Sequence, residues 1–227
     1  MNHPKLLFRL DEKLDYKIAC QFRKIKFGGF SFFEKGILNS HPELKKKGRI
    51  SPCVLKSYTA SYYKTHLKDI LKAKVASEKA WDRKSDEFFC FAEEYFNCHP
   101  FPKGVYKCYL SIWNCNPRDI KNKIFQAYYK RVGIIETIIH EMLHFIFYDY
   151  VFARFPAFTG KKNENILWAV SEIINIHIMN SSKCKEKFNI GKQKPYPEHE
   201  KIYKNSIELY RDANIDKLLK YLFLKLK

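Results

Sequence analysis

The chain has no C-x-x-C pair among its seven cysteines, an odd count that argues against a disulfide framework and against a second, ribbon-type structural zinc. No run of about 18 apolar residues is free of charge, which argues against a membrane-spanning helix. The best candidate, residues 132–153, carries Glu136, His140, Glu141, His144 and Asp149. No apolar h-region follows the basic residues of the first ten positions, so no secretory signal is expected, and a cytoplasmic location is. Acidic residues are scarce: 24 Asp and Glu face 42 Lys and Arg, a net charge of +18. The excess sits in the flanks, in Lys45-Lys46-Lys47 and the Lys-rich tail after Asn180. Residues 131–180 hold four basic residues against five acidic ones, so the middle of the chain is near neutral. A basic shell suits nucleic acid or an acidic membrane surface. There is, however, no compact Arg cluster and no aromatic RNA-binding signature, and a solvated lysine surface is the favoured reading.

What the chain does have is 46% hydrophobic residues, enough for a real core. It also has His140-Glu141-Met142-Leu143-His144, an H-E-x-x-H pentapeptide. Residues four apart share a helix face, so both histidines can reach one metal ion. Imidazole pairs at this spacing suit Zn²⁺. Glu141 falls about 100° around the helix from His140, where a general base belongs. Chance supplies such a pentapeptide in roughly one chain in fifty of this composition. The setting is more informative: Ile134, Ile135, Ile138, Ile139, Leu143, Phe145, Ile146 and Phe147 make the helix apolar nearly all round. Two histidines and a glutamate are costly there unless paired or bound to something.

A catalytic zinc needs a third protein ligand and an open position. Residues 163–180 repeat apolar side chains at helical spacing, and Glu172 is the one acid beyond the first turn. Its rival Glu164 stands in that first turn, where the helix dipole alone accounts for an acid. His177 is a weaker rival. Tyr150, Arg154, His177 and His199 are all conceivable donors to a developing oxyanion, and the sequence does not rank them.

His140, Glu141 and His144, with Glu172 on a following helix, resemble the gluzincin metallopeptidases, in particular the small minigluzincins, over about residues 104–180. There are departures: the gap from His144 to Glu172 is longer than in thermolysin-like members, and Ile176 stands where many gluzincins place an acid. The resemblance implies an α+β, zincin-like core: a small sheet, a backing helix, an active-site helix and a glutamate helix, with mostly helical N- and C-terminal extensions. It further implies one Zn²⁺ held by His140, His144 and Glu172, Glu141 as general base, and a protein or peptide substrate. An exposed edge strand, Lys123 to Lys130, would pair with that substrate, and a C-terminal segment could close the cleft. A nucleic-acid-associated peptidase or regulator, or a catalytically silent metal-binding protein, are the alternatives.

The expected division is an N-terminal lobe (1–63), a catalytic core (64–180) and a helical extension (181–227). Turns are expected at Gly28-Gly29, Gly36, His41-Pro42, Ser51-Pro52 and Asn116-Pro117. One or two helices are expected from Lys64 to about Asn97, their apolar side including Ile70, Leu71, Val75, Trp81, Phe88 and Phe89. Val105 to Trp113 reads as a strand, and a helical pair is expected over about 199–226. Cys20, Cys90, Cys98 and Cys108 read as small core residues, and Cys115 as a turn residue rather than a zinc-blocking thiolate.

Overall fold

Strict alternation in Val105–Ser111 puts Tyr106, Cys108 and Leu110 on one side of a strand, and in the computed structural model all three are buried. This strand, β2, is central to a small mixed sheet. The structure describes residues 3–25, 31–211 and 215–227. The expected turn at Gly28-Gly29 lies outside the described residues. The protein is α+β, mostly helical, with one four-stranded sheet.

Two compact units divide the chain. The first comprises residues 5–82 and 104–138 and holds the sheet, in the order β1 (Lys5–Arg9), β2, β4 (Ile124–Tyr128), β3 (Arg118–Asp119). β1 and β4 each run parallel to β2, whereas β3 runs antiparallel to β4. Helix α1 (Glu12–Phe22) starts at Asp11, whose carboxylate accepts from Leu14 N at 2.9 Å. It packs against α2 (Pro52–Asp82), which Pro52 opens at a position where the missing N–H costs nothing. α2 runs straight through residue 63, where the sequence suggested a boundary. Gly36 is not a turn residue. It lies in a π-helical stretch, Phe33–Leu38, where a Cβ would stand 2.5 Å from the Asn114 carbonyl oxygen. His41-Pro42 opens a 3₁₀ turn (Pro42–Lys47) and Asn116, at positive φ, turns the chain as expected.

β4 does not offer the open edge anticipated for it. β3 pairs with Ile124 and Phe125, Gln126 N donates to Pro117 O at 2.8 Å, and Tyr128 N donates to the Asn116 side chain at 3.2 Å. The turn folds back on the strand and takes the donors an extended peptide would need.

The second unit comprises residues 1–4, 83–103 and 139–227. It contains α3 (Ser85–Tyr95), most of α4 (Ile134–Arg154), α5 (Glu164–Asn180), α6 (Ser182–Phe188), α7 (Glu200–Arg211) and α8 (Ile215–Lys225). α5 is the hub: α6, α7 and α8 all pack on it, and residues 169–179 are buried on every side. The expected C-terminal helical pair is α7 and α8. They pack on each other and are pinned by polar contacts: His177 Nε2 meets Ser206 Oγ at 2.7 Å, and Tyr150 donates to Asp216 at 2.5 Å.

Several expected core positions face solvent instead. Leu71 and Val75 are exposed, while Ile70 and Trp81 on the same helix are buried. Cys90 and Cys98 are exposed and Cys20 is half-buried; of the four cysteines read as core, Cys108 alone is buried. Among the described residues, no helix is long and apolar enough to cross a membrane.

Candidate metal centre

Helix spacing stacks His140 and His144 one turn apart on α4, and their Nε2 atoms approach to 3.1 Å. Glu172 comes from mid-α5. One carboxylate oxygen lies 3.3 Å from His140 Nε2 and the other 3.5 Å from His144 Nε2. Two ligands about 2.0–2.1 Å from a tetrahedral zinc lie about 3.3 Å apart. The three distances, two of them to different oxygens of Glu172, are of that size, and one ligand atom from each residue lies within 4.8 Å of the other two. Hydrogen bonding explains the convergence poorly, because each Nε2 carries a single hydrogen or a single lone pair. It cannot satisfy both a second imidazole and a carboxylate at once, whereas a cation at the centre satisfies all three.

Among the described residues, no fourth His, Cys, Asp or Glu joins this group. A metal held by these three alone would keep a coordination position open, as catalytic rather than structural zinc sites do. The His144 and Glu172 side chains are 0% and 4% exposed, while His140 is 22% exposed, so the group is reached from the His140 side. Glu141, next in sequence to His140, is buried and outside the ligand group. Glu164 is exposed at the start of α5 and takes no part. Cys115 is buried, its thiol held neutral by burial, and is likewise no member of the group.

The helix carrying Glu172 is fixed in register by Asn175, one turn on, whose side-chain amide donates to the His140 carbonyl at 2.9 Å. The sequence reading overlooked Asn175. Its signal was an amide three positions after Glu172, flanked by Ile173, Ile174 and Ile176.

The structure also sorts the four candidate donors. Tyr150 and Arg154 are both engaged with Asp216. His177 is committed to Ser206 and its pKa is lowered to about 4 by burial, which makes it a neutral packing residue between α5 and α7. His199 differs. It is 6% exposed, its ring lies against Trp168 at 5.4 Å, and its Nδ1 is buried without a hydrogen-bond partner. Burial lowers its pKa, while the charges of Glu198 and Glu172 oppose that shift. The His199 ring therefore feels the charge of the Glu172 carboxylate. No protein-family model matches this chain and neither curated proteins nor solved structures give a match, so the centre is read from its own geometry.

Proposed function

We propose that the protein is a zinc-dependent metallopeptidase with a zincin-like core. The observation that carries this reading is the convergence of His140, His144 and Glu172 at 3.1, 3.3 and 3.5 Å, with no fourth His, Cys, Asp or Glu among the described residues. A zinc ion bound there supplies Lewis acidity and lowers the pKa of a coordinated water toward about 7. The rest falls to this chain's own residues. Glu141, buried beside the ligands and not one of them, takes the proton from the attacking water and returns it to the leaving amine. His199, whose Nδ1 is not already engaged as the other three candidates are, is the donor assigned to the developing oxyanion. Peptide bonds as substrate follow from the gluzincin resemblance of His140-Glu141-x-x-His144 and Glu172. All seven cysteines are free, which fits a reducing, cytoplasmic setting.

The test is metal content and casein cleavage measured on the same samples. Wild type holds one zinc and cleaves. Glu141→Gln keeps the zinc and loses about a thousandfold in kcat. Glu172→Ala loses the zinc, and His199→Gln keeps it with kcat down roughly a hundredfold. Wild-type protein that takes up no metal after zinc addition would overturn the reading.

A further inference from the structure

Over the middle of α2 two rows of side chains face solvent. Leu67, Leu71 and Val75 follow at four-residue steps and are 46%, 44% and 48% exposed. Lys64, Lys68 and Lys72 follow at the same step, each three residues before a member of the apolar row, and all three are exposed. Positions three and four apart are helix neighbours, so a leucine–valine row about 12 Å long runs beside a lysine row. None of the three lysines is paired with an acid among the described residues. Of the nearby acids, Glu78 is held by Lys74 at 2.6 Å, and Asp69 lies about 160° around the helix from Leu71 and, though three residues before Lys72, forms no ion pair with it.

The solvent face of a globular helix is ordinarily polar. Apolar side chains flanked by unpaired lysines on an exposed helix face have the composition of an interfacial helix. We propose that this face of α2 docks the protein on the surface of an anionic lipid bilayer, independently of what the metal centre does. Charge complementarity identifies the occupant: a chain of net charge +18 presents lysines to anionic headgroups. The apolar row separates this occupant from nucleic acid, which would engage the lysines and leave Leu67, Leu71 and Val75 in water. A protein partner would need a groove shaped to the helix, whereas a headgroup layer yields to it and admits the apolar row at the acyl boundary.

The experiment is co-sedimentation of the full chain with phosphatidylcholine vesicles, with and without phosphatidylserine. Three triple variants are compared, all at exposed or half-buried surface positions and each checked for folding by circular dichroism. Wild type binds vesicles containing phosphatidylserine and not phosphatidylcholine alone. Replacing Lys64, Lys68 and Lys72 by Gln weakens binding roughly a hundredfold. Replacing Leu67, Leu71 and Val75 by Ser weakens it roughly tenfold. Replacing Lys192, Lys194 and Lys201 by Gln changes it less than about twofold. The proposal is overturned if wild type ignores phosphatidylserine vesicles at low salt, which would leave the face to a protein partner. It is equally overturned if the serine variant binds like wild type, or if the tail lysines matter as much as those of α2. Either result means adsorption to any polyanion, nucleic acid included.

Discussion

Asp15 in the sheet unit and Glu172 in the helical unit are both deeply buried carboxylates, and their surroundings differ. In the sheet unit Asp15 is 1% exposed and accepts four hydrogen bonds: from Ser111 Oγ at 2.6 Å, Gln126 Nε2 at 2.9 Å, Tyr63 Oη at 2.7 Å and the Ile112 amide at 3.0 Å. Every donor is neutral, and α1 is thereby tied to α2, β2 and β4. In the helical unit Glu172 is 3% exposed, and two imidazole nitrogens converge on it and on each other. A buried carboxylate ringed by donors is a finished structural device. A buried carboxylate sharing one focus with two imidazoles is an arrangement that a cation would complete. Burial alone therefore does not mark function; the arithmetic of donors and acceptors around the buried group does.

The sharpest way to break the comparison is to remove each carboxylate. Asp15→Ala strands four buried donors and should cost about 3–5 kcal/mol of stability, read as a fall in the urea midpoint at unchanged slope. Glu172→Ala should leave the metal-free protein closer to wild type, because it relieves the crowding of two imidazoles and a carboxylate around one point. If Glu172→Ala destabilises the metal-free protein as much as Asp15→Ala does, then Glu172 is a structural hub and the contrast fails.

pH should drive the two sites in opposite directions. Burial pushes the Asp15 carboxyl up to about 6 against the pull of its four hydrogen bonds. Its folded pKa is thus above the unfolded value near 3.8, so the native state takes up this proton first as pH falls. The resulting stabilisation is fully present below pH 3.8 and is lost as pH rises through 6, about 3 kcal/mol in all. Zinc at the candidate centre would have the other sign: His140 and His144 would have to be neutral to ligate, so it would be released as pH falls. Urea unfolding of metal-free wild type and Asp15→Asn between pH 4 and pH 7 should show the pH-dependent difference vanish in the variant. A wild-type and variant pair that run parallel across that window would mean Asp15 stays ionised throughout.

The metal-centre residues were more legible in the sequence than the framework around them. H-E-x-x-H fixes its own geometry through helix periodicity, and an acid in mid-helix among Ile and Val stands out because burying it is expensive. The strands at 105–111 and 124–128 were visible through alternation and turn residues. β1 was not, since Lys5–Arg9 is five residues long and its pairing partner lies a hundred positions away. Leu71 and Val75 were misplaced because periodicity shows which residues share a face and not which way that face points. The closed edge of β4 was equally hidden: it depends on Asn116 and Pro117 folding back, a tertiary event with no pattern in the strand itself. His199 could be named as a candidate but not chosen, because its rank depends on Tyr150, Arg154 and His177 being already committed elsewhere.

Asn175 gives the finest test of the contrast. Its amide donates to the His140 carbonyl and its Oδ1 is buried without a partner, so its energy is spent on placing α5 against α4. Were the cluster merely packing, Asn175→Ala would lower stability by about 1 kcal/mol and leave zinc affinity alone. A metal centre depends on its three ligand atoms keeping their spacing, and residues that orient ligands are worth about ten- to a hundredfold in affinity. Asn175→Ala should therefore weaken zinc binding at least about tenfold by competition with a chelator. Asn175→Asp, which keeps the shape and removes the amide donor, should do the same. Unchanged zinc affinity in both variants would show that α5 holds Glu172 in place through its apolar faces alone.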